Sequence, residues 1–209
     1  MRRGSYGQDT KFTAADKFGI YLSQRMVLKQ IRFLAKNDIA LLDLGCGYNA
    51  LFLRKLSPLT KIAYGVDLAV SQEIKALPKT KIIEGPIEQA VLRLEHNYFD
   101  VILLISVLEH LDDPFSVLKE SYGLLKDRGI LLVNVPTWRG KFFLETSAYV
   151  FKLSPKAEID DHKMYYDKKD LWPLLIKAGF KPSTIRMRYH KFGLNLYAVC
   201  KKEEEIYSL

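Results

Sequence analysis

Cysteine is scarce in this chain of 209 residues, which holds Cys46 and Cys200 far apart and no others. Two cysteines make no disulfide framework, and without a Cys-x-x-Cys pair there is no cysteine-based zinc site. Their scarcity points to a reducing, cytoplasmic setting. Long apolar runs are missing too. The longest, Val101 to Leu108, is interrupted by Ser106, whereas a membrane-crossing helix needs about 20 apolar residues. Met1-Arg2-Arg3-Gly4-Ser5 leads into no apolar stretch, so no secretory signal is expected. There are no internal repeats and no low-complexity tracts. What is present is 48% hydrophobic and 27% charged, the composition of a folded globular chain with one core. Basic residues number 32 against 24 acidic ones, a net charge of +8. Such a balance favours anionic partners such as nucleic acid, acidic lipid headgroups or phosphorylated substrates, although a soluble protein can also simply be basic.

Hydrophobic patterning predicts one domain over 1–209. Residues 1–11 are polar and expected to be mobile. A helix is expected over Phe12 to Leu34, with Phe18, Tyr21, Leu22, Met26, Leu28 and Ile31 as its apolar face; it dominates an N-terminal segment of 1–37. Short apolar runs then read as buried strands at 39–44, 61–67, 81–83, 99–105 and 129–135. Helical stretches lie between them at 50–56, 71–76, 88–94 and 114–125. This alternation implies βαβ units. Residues 137–166 form an aromatic-rich insert. A helix over Lys168 to Ala178 ends at Gly179, and two closing strands, 185–189 and 194–199, sit close enough to pair as an antiparallel hairpin. The expected fold is α/β: a doubly wound, Rossmann-like, mostly parallel seven-stranded sheet with a C-terminal antiparallel hairpin.

Gly45-Cys46-Gly47 comes directly after the first strand and before a helix. Glycines there let the backbone turn sharply and approach a ligand, and the spacing Gly45-x-Gly47-x-x-Ala50 also satisfies a loose dinucleotide pattern. Two carboxylates sharpen the reading. Asp67 ends the second strand, 20 residues after Gly47, where a carboxylate can accept from both hydroxyls of a ribose. Asp43 stands two residues before the first glycine. A pyrophosphate at this turn would be repelled by it, and a ligand carrying an ammonium and a sulfonium would be attracted. The plainer alternatives are a cap or loop hydrogen bond for Asp43 and a turn residue for Asp67.

Leu41 to Gly47 (Leu-Leu-Asp-Leu-Gly-Cys-Gly) resembles the first motif of the class I S-adenosylmethionine-dependent methyltransferases. The resemblance continues in order. Gly65-Val66-Asp67-Leu68 is similar to the acidic end of the second strand. Phe99–Ile102 with Val107–Pro114 resembles the fourth strand and the start of the helix after it, and Leu124–Leu132 the turn into the fifth. His162 to Phe180 resembles the segment before the final hairpin. Together these cover roughly residues 38–200. The resemblance implies S-adenosyl-L-methionine as cofactor, with Asp43, Gly45, Cys46 and Gly47 around its methionine part and Asp67 on its ribose. It also implies Leu68 against the adenine, Pro86, Ile87 and Glu88 at the adenine edge, and Ile105 and Ser106 beneath the cofactor. Two residues depart from the family pattern. Asn49 replaces a frequent glycine. Pro86 replaces a frequent aspartate and has no N–H to donate, so Glu88 or the Ile87 amide must serve the adenine.

If the acceptor is a hydroxyl, a base near it accelerates transfer by about 10²–10⁴-fold, and histidine suits that task at neutral pH. His110, after the fourth strand, and His162, after the insert, are the catalytic candidates. His96 and His190 read better as surface or turn residues. Glu109-His110 resembles part of a Glu-x-x-Glu-His cluster of the ubiquinone-pathway O-methyltransferases that is associated with a divalent metal. Ser106 stands at its first position, so an oxygen-ligand site loses a carboxylate, and no metal is expected.

The insert region Trp138–Leu153 has three readings: a wall over the acceptor, a peripheral contact with anionic membrane, or a dimer surface. Phe192–Tyr197 is similar to the tails of surface-polysaccharide methyltransferases, which would suit a lipid- or sugar-linked acceptor. The expected function is therefore methyl transfer to a small-molecule or lipid- or sugar-linked acceptor, with oxygen as the target atom. Two alternatives stay open. One is an NAD(P)-dependent oxidoreductase, allowed by the glycine spacing. The other is a non-catalytic scaffold binding RNA or a partner, suggested by the charge. No nucleic-acid substrate is expected, because Ile105-Ser106-Val107-Leu108 lacks the Asn-Pro-Pro-Tyr type motif.

Overall fold

Every residue of the first strand, β1 (Ala40–Leu44), is buried, as expected of an apolar run that ends at glycines. The computed structural model of the protein describes residues 5–8, 13–34, 38–142 and 162–204. A long helix, α1 (Ala14–Leu34), precedes β1. After β1 the chain alternates: α2 (Leu51–Leu56), β2 (Ile62–Asp67), α3 (Gln72–Lys75), β3 (Thr80–Glu84), α4 (Ile87–Ala90), β4 (Phe99–Ile105), α5 (Pro114–Leu124) and β5 (Leu125–Pro136). A short helical turn covers 138–142. The C-terminal part holds α6 (Lys168–Lys177), β6 (Ile185–His190) and β7 (Asn195–Lys201).

The seven strands form one sheet in the order β3-β2-β1-β4-β5-β7-β6. The first five are parallel. Strand β7 runs antiparallel to both β5 and β6, so the expected hairpin closes the sheet edge. The chain order reverses between β1 and β4, which are neighbours with Asp43 opposite Leu103. In open parallel sheets the crevice outside such a switch point is where ligands bind.

Alternation along the strands separates two apolar layers. Leu42, Leu44, Ile102, Leu104, Leu131 and Val133 face α5 and α6 through Val117, Leu118, Leu171 and Leu175. Leu41, Ala63, Val101, Leu103 and Leu132 face α1, α2 and α3 through Val27, Ile31, Leu53, Leu56 and Ile74. Each fully buried leucine contributes about 1.5–3 kcal/mol, so both faces hold the sheet between helices. Side chains fix where the helices begin. Thr13 and Asp16 exchange hydrogen bonds ahead of α1. Asp113 accepts the Ser116 N–H at the start of α5, and Asp167 and Asp170 form a capping box on α6.

Three expectations need correction. Residues 5–8, expected to be mobile, pack on the glycine turn: the Tyr48 N–H donates to the Tyr6 carbonyl at 2.9 Å, and the Asn49 amide donates to the Gly7 carbonyl at 3.1 Å. The helix expected over 88–94 is one α-turn that tightens to 3-10 geometry at Val91–Arg93, which lets Val91 bury while Leu92 stays exposed. The apolar face of α1 also divides. Val27 and Ile31 are fully buried, yet Phe18 and Tyr21 are half exposed, at 55% and 50%. The first half of the helix overhangs a cavity rather than the core. Among the described residues, no helix is long and apolar enough to cross a membrane.

Candidate active site

A cavity of about 740 Å³ opens beyond the carboxyl ends of β1, β2 and β4. Its floor begins at the glycine turn. Gly45 has φ +75°, and a Cβ there would lie 2.4 Å from a Val107 methyl. Both the turn and the close approach therefore require glycine. The Gly45 and Cys46 amides donate to the Val66 carbonyl at 2.8 and 3.1 Å, tying the turn to β2. Gly47, at φ +78°, turns its N–H onto Asp67 Oδ2 at 2.7 Å. The Leu68 N–H donates to Asp67 Oδ1 at 2.8 Å. Two charge-assisted bonds thus hold the Asp67 carboxylate at the strand end, and its remaining lone pairs are open to a ligand.

Asp43 is 2% exposed. Its Oδ2 has no hydrogen-bond partner among the described residues. Burial first, and then the Asp67 charge, push its carboxyl up to about 8. A buried acid in that condition suits a cationic ligand that would ionise it. The Cys46 thiol is also pushed well up by burial, which leaves it inert as a nucleophile.

The other residues singled out from sequence converge on the same cavity. Leu68, Pro86, Ile87 and Glu88 line it on the β2–β3 side, and Ile105 and Ser106 line it beneath. Ser106 has φ +59° and donates its N–H to the Asn134 carbonyl at 2.8 Å. Such backbone strain at a strand end is typical of sites where geometry is imposed. His110 and His162, 52 positions apart in the chain, stand with ring centroids 4.7 Å apart. His162 Nδ1 lies 3.0 Å from the Tyr165 hydroxyl, which fixes the ring plane. Glu109 is 1% exposed. Single donor atoms of Glu109, His110 and His162 come within 4.8 Å of one another. This cluster gains from His162 a donor that the expectation of no metal left out; two imidazoles with one carboxylate are a mixed set, unlike an all-oxygen magnesium site. His96 stays at the surface beside Glu120, and His190 lies outside the cavity wall with its ring against the Leu22 carbonyl.

Several cavity residues escaped the sequence reading. Tyr6 reaches in from the N-terminal strap, Phe18 and Gly19 from α1, and Lys191 from the β6–β7 turn. Only the short gap between the two closing strands, 185–189 and 194–199, hinted at the last of these. Of the insert, Trp138 and Phe142 are exposed at 43% and 74%. Residues 143–153 lie outside the described residues, so the three readings of the insert have no structural counterpart.

Residues 42–133 match the family model described as Methyltransferase domain. An uncharacterised protein of Methanocaldococcus jannaschii is 32% identical over 143 residues, 65% of this chain and 60% of that protein. A ubiquinone biosynthesis O-methyltransferase of Glaesserella parasuis is 25% identical over 130 residues, 56% of this chain and 54% of that one. The chain thus spans between 54% and 60% of the length of these relatives. Among solved structures, an S-adenosylmethionine-dependent methyltransferase of Archaeoglobus fulgidus superposes with a TM-score of 0.63 at 16% identity. That match covers 91% of this chain and all of that one.

Proposed function

We propose that the chain is a class I S-adenosylmethionine-dependent methyltransferase, as its methyltransferase domain match and its fold support, and that it transfers a methyl group to an oxygen of a small-molecule acceptor. Family and fold imply S-adenosylmethionine as the cofactor, and bound at this turn it would supply an electrophilic methyl on a good leaving group. One observation carries the reading: a buried carboxylate, Asp43, whose Oδ2 meets no partner, stands beside the glycine turn. It fits the ammonium of a methionine and opposes a pyrophosphate. The oxidoreductase alternative therefore loses support from the same turn whose spacing suggested it.

In this reading Asp67 holds the ribose hydroxyls, while Ile87 and Glu88 border the adenine. The acceptor approaches from the side of His110 and His162. Bound S-adenosylmethionine would supply the methyl group to the acceptor oxygen, with its thioether as leaving group, and the histidine pair would take the hydroxyl proton. Where His162 Nδ1 donates to the Tyr165 hydroxyl, Nε2 is the unprotonated ring nitrogen, the one that would take up that proton. Similarity to ubiquinone biosynthesis O-methyltransferases favours oxygen as the target atom.

Calorimetric titration with S-adenosylhomocysteine, NAD and NADP tests the reading. The expected result is binding of the first alone, weakened about 100-fold in Asp67→Ala, as loss of two charge-assisted hydrogen bonds predicts. Binding of a dinucleotide in place of S-adenosylhomocysteine would overturn it.

A further inference from the structure

Two lysines line the cavity, and their situations differ. Lys163 is ion-paired with Asp112 at the rim. Lys191 makes no ion pair or side-chain hydrogen bond among the described residues. It stands in the β6–β7 turn, on the β5–β7 side of the cavity, away from Asp67 and Glu88. Its ammonium packs against α1, 3.6 Å from where a Cβ on Gly19 would stand. The turn that places it there is strained. Lys191 and Phe192 both adopt the left-handed region, at φ +51° and +60°, ahead of Gly193 at +85°. Consecutive non-glycine residues in that region are costly and persist where the surroundings hold them. This backbone sends Phe192 outward, 88% exposed, while Lys191 points inward. Desolvation lowers its ammonium to about 8, with Glu109 opposing that fall.

We propose that Lys191 recognises a singly charged anionic group on the acceptor, a carboxylate in the first instance. The inference rests on the methyl-transfer reading and adds the acceptor's charge to it. A largely desolvated cation with no ion-pair partner among the described residues carries a cost that an anionic ligand offsets. Lysine acts here as a point charge with three donors, which suits one carboxylate rather than a planar bidentate clamp. Phosphate fits less well. Glu109, Asp43 and Asp16 also line the cavity, and a second negative charge on the ligand would meet repulsion from them. The geometry places the anion beside α1 and the acceptor's reacting oxygen toward His110 and His162.

The test is titration of the full chain, saturated with S-adenosylhomocysteine, with paired probes. These are 3,4-dihydroxybenzoate against 3,4-dihydroxybenzamide, and phenylacetate against phenylacetamide. In each pair the acid and amide have similar shape and differ in charge. The acid of at least one pair is expected to bind tenfold or more tightly than its amide. Lys191→Met should abolish that preference and leave S-adenosylhomocysteine affinity within twofold, and Lys191→Arg should restore part of it. Equal binding of acid and amide in both pairs, absence of acid binding, or a preference that survives Lys191→Met would each overturn the proposal. Failure of S-adenosylhomocysteine to bind at the outset would instead overturn the methyl-transfer reading.

Discussion

The cavity has two halves built by different means. On the β1–β2 side, backbone does most of the holding. The Gly45, Cys46, Gly47 and Leu68 amides are all spent within the turn, on Val66 and Asp67, and the carboxylates of Asp43 and Asp67 sit at fixed strand positions. On the β5–β7 side, side chains from distant segments meet: His110 after β4, His162 ahead of α6, Lys191 in the β6–β7 turn and Phe18 on α1. The first half is a rigid product of local sequence, and the second depends on tertiary assembly. That difference teaches where specificity can vary. Loops and turns at the rim can change without disturbing the strand ends proposed to hold the cofactor.

The sharpest way to break this division is to remove the histidines. His110→Ala and His162→Ala should each slow methyl transfer by about 10²–10⁴-fold, the usual worth of a general base. S-adenosylhomocysteine affinity should change less than threefold, because neither ring belongs to the strand-end half. If affinity falls as steeply as turnover, the two halves are one site and the division is wrong. Comparing kcat with calorimetric Kd for both variants decides the matter.

A smaller effect is expected at Asp43, on the other side of the comparison. Asp43→Asn should weaken S-adenosylhomocysteine binding by about 10–100-fold, the loss of one charge-assisted contact. The wild-type affinity should rise with pH and level off above about 8, since a cationic ligand needs the ionised carboxylate. Stability of the free protein runs the other way. The native carboxyl titrates at about 8 against 3.8 for the unfolded chain, so between these values the native state holds the extra proton. Stability therefore falls as pH rises through that window, by at most about 1.4 kcal/mol per unit. Asp43→Asn should flatten both slopes. Denaturation midpoints and binding constants from pH 5 to 9 would show it; unchanged slopes would remove Asp43 from the electrostatics of the turn.

The same division governs how much the sequence disclosed. Buried strands announce themselves as apolar runs, and β1, β2 and β4 appear within a residue of their expected ends. The glycine turn and its two carboxylates are contiguous or evenly spaced, so their convergence comes from strand pairing alone. His110 and His162 were legible only as separate histidines. Their 4.7 Å approach depends on where the segment ahead of α6 docks, which no periodicity records. Lys191 was illegible for a further reason: its inward aim comes from two left-handed residues in a turn, and neither lysine nor phenylalanine signals that conformation. The α1 face misled because an apolar residue over a cavity, such as Phe18, has the same pattern as one over a core.

The N-terminal strap is where the smallest effect should separate the halves most cleanly. Ser5 is 7% exposed, and its hydroxyl accepts the Ala69 N–H at 2.6 Å. Together with the Tyr6 and Gly7 carbonyls it fastens residues 5–8 across the glycine turn, where Tyr6 borders the cavity. A single neutral hydrogen bond contributes about 0.5–1.5 kcal/mol. Ser5→Ala should therefore loosen the strap rather than remove it, speeding S-adenosylhomocysteine release by about 2–10-fold with little change in association. The strap's hydrogen bonds to Tyr48, Asn49 and Ala69 all lie on the glycine-turn side, so turnover at saturating cofactor and acceptor should hold. Stopped-flow release rates beside saturated turnover would test this. An unchanged release rate would mean that the strap covers the turn without retaining the ligand, and a matching loss of turnover would tie it to the acceptor half instead.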